Sequence, residues 1–355
     1  MKVRPIAPST RHPMYKLLHY VGRAWSFVTS KIPGEHFVIN KTSEVPAFLR
    51  EAEGLRAYGR LQANVYDIEG CYPHMPKESI RWALRELLSK LRAQGSGDGV
   101  WVPKFSDSCP CAWTERRRNM QKIPFHTMLD VMDFSLDFAM IKMPCGDLKR
   151  QREGIPMGDP LSPGMAIGAC AWMEHEWMQT IAMEDRRYFR MKRFMDDIIV
   201  VHADTPRWDG KRFIADFTQS QCYQAPLRLE AGRDGTFLET RYWITDDNSI
   251  KFKLKNDNES HDQIWRYQHW YSNTPFLQKR GTLTAVLKKV QLMASDSYQL
   301  YAGALAKLGE FRRLRYPNSV LWKACNKLGA TSGVSAWITV RNALREHTTV
   351  QRPGA

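Results

Sequence analysis

Arg193-Phe194-Met195-Asp196-Asp197-Ile198-Ile199-Val200-Val201 sets two adjacent acids between apolar runs. Residues 190 to 201 have the pattern of a β-hairpin, with Asp196 and Asp197 at its tip and Ile198 to Val201 as its second strand. A tight turn between apolar strands projects carboxylates from a fixed backbone, and such hard oxygen donors suit Mg²⁺. Taken alone the pair is weak, because most Asp-Asp pairs are solvated turns, the reading given to Asp246-Asp247 and to Asp185. A second strand-end acid strengthens it. Ala63-Asn64-Val65-Tyr66-Asp67-Ile68 reads as a short strand carrying Asp67 near its end, separated from the hairpin by enough chain for several helices.

Outward from these acids, apolar spacing predicts helices over 13–30, 45–58, 76–93, 125–138, 164–183 and 213–222. Residues 139–143 and 148–153 can pair as a hairpin, and strands are expected near 237–244 and 250–254. Residues 95–107 are rich in Gly and Ser and read as a loop. The remainder, especially 283–294 and 298–315, is helical and basic. Neither an internal repeat nor a low-complexity tract is present.

Composition narrows the partners. Lys and Arg number 52 against 37 Asp and Glu, a formal net of +15 over 355 residues. That surplus favours polyanions, since each neutralised phosphate releases condensed counterions. Apolar runs fall short of the roughly 18–20 residues that span a bilayer, so no membrane partner is expected. The opening stretch, Met1 to Pro33, is acid-free and resembles a transit peptide in composition, although its first residues have a better use given below. Seven scattered cysteines, an odd count without a framework, point to a reducing compartment (nucleus, cytoplasm or organelle). Cys109-Pro110-Cys111, with no second pair or histidine at zinc spacing, reads as a loop with two free thiols. Most of the 12 Trp are expected in cores, with Trp265 and Trp270 beside Arg266 placed to stack on bases.

Three motifs together resemble reverse transcriptases. Asp67-Ile68-Glu69-Gly70-Cys71-Tyr72 resembles their first palm motif, in which an aromatic follows the metal-binding Asp by five positions. Gly154-Ile155-Pro156-Met157-Gly158-Asp159-Pro160-Leu161-Ser162-Pro163 is similar to the second, in the form found in Penelope-like and group II intron elements. Phe194-Met195-Asp196-Asp197 is similar to the third, with Phe in the usual Tyr position. Order and separation agree, and three motifs in register are far more specific than one. Lys2-Val3-Arg4-Pro5-Ile6 resembles the fingers segment, Thr236-Phe237-Leu238-Glu239 the primer-grip region, and residues 271–275 with Lys279-Arg280-Gly281-Thr282 a retroelement thumb.

The resemblance implies an α+β right-hand polymerase: fingers, a palm of antiparallel sheet packed on helices, and a helical thumb. Its expected segments are partial fingers at 1–62, palm at 63–76, a fingers and palm insertion at 77–153, palm at 154–256, and thumb with a C-terminal extension at 257–355. It implies RNA-directed DNA synthesis with two Mg²⁺ ions, Mn²⁺ being a substitute, on an RNA template with a DNA or RNA primer and dNTPs. Asp67, Asp196 and Asp197 become the catalytic acids, with Asp67, Asp196 and the Ile68 carbonyl as metal ligands. Lys2, Arg4, Tyr72, Glu153, Gly154 and Pro156 become the nucleotide pocket. A ring at Tyr72 leaves no room for a 2′-hydroxyl and favours deoxynucleotides. Phe237, Leu238, Lys279, Arg280, Lys288 and Lys289 become nucleic-acid contacts, which set position rather than sequence.

Two departures qualify the pattern. Glu153 stands where reverse transcriptases commonly have Gln, and an acid there repels a triphosphate unless protonated or paired, with Arg150 or Arg152 as partners. The chain also opens almost at the fingers motif, which leaves open a fragment, a split polymerase or a protein whose fingers another chain completes; no RNase H-like or endonuclease domain is expected after the thumb. The alternatives are RNA-dependent RNA synthesis and a domesticated, non-catalytic nucleic-acid-binding or assembly subunit.

Overall fold

A computed structural model describes residues 13–104, 110–115, 119–142, 146–219, 222–256 and 266–349. Elements alternate from the start. They begin with α1 (Tyr15–Thr29), α2 (Val45–Glu53), β1 (Arg60–Ile68), α3 (Cys71–His74) and α4 (Lys77–Ala93). Then come β2 (Gly99–Pro103), β3 (Met120–Pro124), α5 (Phe125–Asp137), β4 (Met140–Lys142), β5 (Leu148–Arg150) and α6 (Ser162–Thr180). A third group is β6 (Phe189–Phe194), β7 (Asp197–Asp204), α7 (Gly210–Gln219) and β8 (Leu229–Ala231). The strands β9 (Thr236–Phe237), β10 (Thr240–Ile244) and β11 (Ile250–Leu254) lead into α8 (Phe276–Leu292), α9 (Ser297–Arg313), α10 (Asn318–Ser332) and α11 (Ala336–Thr349).

The helices expected from apolar spacing are present, with ends displaced by a few residues as capping geometry dictates. One expectation is corrected. Residues 99–103, assigned to a loop, form β2, which pairs antiparallel with β3 from Gly99↔Pro124 to Pro103↔Met120. Val100 and Val102 point into the core, and only the surrounding Gly and Ser hid them.

The chain divides into two compact units, one of residues 1–40 and 64–232, the other of 41–63 and 233–355. Residues 41–63 and the three strands β9 to β11 fold with the C-terminal helices. The reasons are specific: Arg50 donates to the Ala294 carbonyl at 3.2 Å and lies over the Phe252 ring. Asn248, at φ 64°, also ties the β10–β11 turn to Leu61 N–H and the Gly59 carbonyl.

In the first unit a four-stranded sheet of order β6-β7-β1-β8 carries one core with α1, α4, α5 and α6. Helix α6 is buried on most faces, and its small residues permit that. A Cβ on Gly164 would stand 2.6 Å from the Cβ of Trp25 in α1. In the second unit β11-β10-β9 form a three-stranded antiparallel sheet, and α8 to α11 enclose a separate core around Leu287, Phe311, Leu321 and Trp337.

Candidate active site

The hairpin tip is built tightly. Phe194 pairs with Asp197, leaving Met195 and Asp196 as a two-residue loop, with Met195 at φ 58°. Positive φ at a non-glycine residue costs about 1–2 kcal/mol and persists only where the surroundings enforce it. The neighbouring strand enforces it, since the Ile68 N–H donates to the Asp196 carbonyl at 3.0 Å. This main-chain bond brings the end of β1, and with it Asp67, against the loop that carries Asp196. On its other side β1 is held by β8, with Asp67 opposite Glu230.

Beneath the loop lies an ion pair that the motif reading missed. Arg193 is 1% exposed and Glu174, on α6, is 0% exposed, and the Arg193 Nε–H donates to the Glu174 carboxylate. A second guanidinium nitrogen donates to the Met195 carbonyl at 2.6 Å, so the pair supports the strained loop directly. Glu174 also accepts from the Tyr223 hydroxyl and the Phe37 N–H, each at 2.9 Å. Four hydrogen bonds, the pair's own and those to Met195, Tyr223 and Phe37, thus satisfy two charges that water cannot reach, the condition under which a buried pair is tolerable. A sequence signal existed: β6 alternates inward and outward, and Arg193 falls on an inward position beside Phe189 and Met191.

The second motif docks on the first through backbone. The Ile155 N–H donates to the Tyr72 carbonyl at 2.7 Å. Gly154, at φ 75°, comes so close that an added Cβ would lie 2.4 Å from the carbonyl oxygens of both Tyr72 and Pro73. Only glycine satisfies both the φ and the approach. Gly154→Ala is therefore expected to destabilise the fold by about 2 kcal/mol or more, measured by urea denaturation; an unchanged midpoint would show that the approach is not needed. Downstream, Pro156 is buried and its carbonyl accepts from the Ser162 hydroxyl, while the Asp159 carboxylate accepts from the Leu161 N–H at 2.8 Å. These bonds fix the entry into α6.

Electrostatics mark the acids as a group. Burial, then the charges of Asp196 and Asp67, push the Asp197 carboxyl up to about 6. Tyr72, half-buried, has its phenol raised by burial, with Cys71 and then Asp196 adding to it. Among the described residues no three His, Cys, Asp or Glu side chains form a metal-holding group. What the structure brings together is the negative charge of neighbouring acids, short of a protein cage. Mg²⁺ takes one or two carboxylates and keeps several waters, so strand-end acids are the kind of donor it uses.

The sign of the Asp197 shift gives a test. A carboxyl that titrates higher in the folded state costs nothing below its unfolded value near 4 and destabilises as pH rises through 6. Asp197→Asn should then raise the Tm of the metal-free protein at pH 8 and leave it unchanged near pH 4, as followed by calorimetry. An equal effect at both pH values would refute the shift.

Glu153 is exposed at a cleft of about 780 Å³ that also takes in His74, Lys77, Arg81, Arg150 and Arg152. The expected pairing with Arg150 is corrected: that guanidinium faces Asp137 at 3.8 Å and lies over Phe138. Lys2 and Arg4 lie outside the described residues, as do Cys109 and Trp265.

The expected nucleic-acid contacts of the second unit separate into two kinds. Arg280 and Lys288 are exposed, and Lys289 pairs with Glu239 beside a pocket of about 230 Å³ that Leu238, Lys255, Arg266 and Lys307 share. Leu238 holds φ 52° in the β9–β10 turn. Phe237 and Lys279 depart from expectation. Phe237 is 1% exposed in the sheet's core face, and Lys279 is 5% exposed with its ammonium donating to the Trp270 and Ser272 carbonyls, each at 2.6 Å. Neither is presented to a phosphate. Of the turn acids read as solvated, Asp246 and Asp247 are exposed, and Asp247 accepts from Thr245 and Ser249 within its own turn.

No family model matches the chain, and no curated protein matches it. Solved structures do. Telomerase from Candida albicans, solved with the TWJ fragment of telomeric RNA, aligns at a TM-score of 0.51 and 14% identity, covering 92% of this chain and 58% of that one. Telomerase from Candida tropicalis, in the same kind of complex, aligns at 0.51 and 13%, covering 91% and 48%. The chain thus spans about half the length of these telomerases. Telomerase is a reverse transcriptase, and likeness at this identity speaks to architecture. The mixed helical and antiparallel-sheet chain has a nucleic-acid polymerase fold.

Proposed function

We propose that the chain is an RNA-directed DNA polymerase of retroelement kind, a nucleotidyltransferase extending a primer 3′-hydroxyl with dNTPs. The observation that carries the reading is the main-chain bond from Ile68 to Asp196, which joins two acid-bearing motifs far apart in sequence. The Tyr72–Ile155 bond adds the third motif. In a right-hand description the first unit's sheet is the palm and the C-terminal helices are the thumb.

Asp67 and Asp196 would hold the divalent ions, with the Ile68 carbonyl as a further oxygen. When bound, two Mg²⁺ supply Lewis-acid activation of the primer oxygen and charge neutralisation at the leaving pyrophosphate. Asp197, whose carboxyl is raised by burial and then by the Asp196 and Asp67 charges, would add negative field that favours retention of those cations. Tyr72 is close enough to Asp196 for that charge to add to the shift that burial and Cys71 cause, and its ring would lie beneath the incoming sugar and exclude a 2′-hydroxyl. Gly154 and Pro156, expected in the nucleotide pocket, are buried, and the close approach that Gly154 permits is to the Tyr72 and Pro73 carbonyls, so their part would be to hold the second motif on the first; Glu153 with Arg152 at the adjacent cleft would face the triphosphate side. An RNA partner is consistent with the net charge of +15 and with the telomerases, which were solved with telomeric RNA.

Primer extension on RNA and DNA templates, with dNTPs and rNTPs offered separately in Mg²⁺, tests this. Incorporation of dNTPs on RNA is the expected result. Preference for rNTPs would move the reading to RNA synthesis, and binding without incorporation to a non-catalytic subunit.

A further inference from the structure

The first turn of α8 and the loop before it leave large rings in water. Tyr271 is 77% exposed, Leu277 79% and Phe276 50%. This exposure is built. The Lys279 ammonium, buried beneath, donates to the carbonyls on either side of Tyr271, those of Trp270 and Ser272. The Trp270 N–H donates to the Leu314 carbonyl at 2.9 Å, and the Trp270 ring packs edge-on against Phe276 at 5.3 Å. A lysine spent on two carbonyls fixes the loop with Tyr271 turned outward. Large apolar side chains left exposed on one fixed loop and on the helix turn that follows it mark a surface that something covers.

Charge says what covers it. Arg280 holds its guanidinium over the Phe276 ring at 5.4 Å, and from Arg266 to Ser295 the sequence has no Asp or Glu. A stretch without acids that combines exposed rings with arginine suits a polyanion carrying flat apolar groups. We propose that Tyr271, Phe276 and Arg280 form a stacking platform for unpaired bases of a single nucleic-acid strand. Each base has a π-face, so such a platform tolerates any sequence, while Arg280 serves both the ring and the strand's phosphates. The inference rests on the polymerase reading only for how a strand is delivered; the platform itself needs neither metal nor nucleotide.

The test uses the full chain in EDTA, with a labelled single strand of about 12 nucleotides and an abasic strand of equal length, followed by fluorescence anisotropy. Tyr271→Ala should weaken binding of the base-bearing strand about tenfold and leave the abasic strand unaffected. Tyr271→Phe should keep wild-type affinity. At 77% exposure the substitution removes no core contact, and an unchanged Tm checks this. Equal affinity of Tyr271→Ala and wild type, or equal losses for both strands, would overturn the platform. So would self-association of the wild type that Tyr271→Ala abolishes, which would assign the patch to a second copy. Absence of primer extension alongside a base-specific Tyr271 effect would remove the polymerase reading and leave the platform standing.

Discussion

Asp196→Asn is expected to cut nucleotide incorporation by about 10³-fold or more while leaving the protein at least as stable as wild type. The two halves come from different parts of the residue. Its carbonyl accepts from the Ile68 N–H, and that bond survives the substitution because it is main chain. Its carboxylate is close enough to Asp197 for its charge to add to the rise that burial causes in the Asp197 carboxyl. Asn keeps the shape, removes the charge and relieves the repulsion, so the metal-free fold gains or holds. What it loses is the ligand strength needed to bring divalent cations to a primer end. Asp247→Asn is the matched control, since that acid serves only its own turn, bonded to Thr245 and Ser249. Primer extension and calorimetry on the two variants decide the matter. Turnover that survives Asp196→Asn would remove the two-metal reading, whatever the fold.

The contrast between the two Asp-Asp pairs also shows what the sequence could convey. Asp196-Asp197 and Asp246-Asp247 differ little as strings; their apolar flanks and the separate strand end at Asp67 distinguished them, and both turns have the expected local form. The helices were legible because core faces repeat at helical spacing, as along α4, where Ile80, Ala83, Leu84, Leu87 and Leu88 are all buried. What escaped was non-local. Strand β2 is a strand through its pairing with β3 across a long connection. Residues 41–63 join the C-terminal helices through Arg50 and the Asn248 turn, contacts nearly 190 residues or more apart in sequence. Lys279 was misjudged because a lysine on a helix is normally solvated, and only the fold shows two carbonyls waiting for it. Arg193 is a different case: the inward position it holds in the alternation of β6 is local and carried by the strand pattern itself.

Arg193 carries the largest expected loss of stability. Arg193→Met keeps much of the side chain's length and removes its charge, leaving Glu174 fully buried with only the Tyr223 hydroxyl and the Phe37 N–H as donors. An uncompensated buried carboxylate of this kind costs about 3–5 kcal/mol, which for a unit of this size lowers Tm on the order of 10 °C. Adding Glu174→Met removes the stranded charge, and the double variant is expected to recover much of the loss, as buried pairs replaced together often do. Activity should not follow. The Met195 carbonyl accepts from the Arg193 guanidinium, and methionine restores no donor to a loop that already holds Met195 at φ 58°. The double variant would then be folded, near wild-type in Tm, and still impaired in extension, separating the pair's role in stability from its role in holding the acids. Wild-type stability for Arg193→Met alone would show that water or a rearranged partner reaches Glu174. Full turnover in the double variant would show that the loop keeps its shape without the guanidinium beneath it.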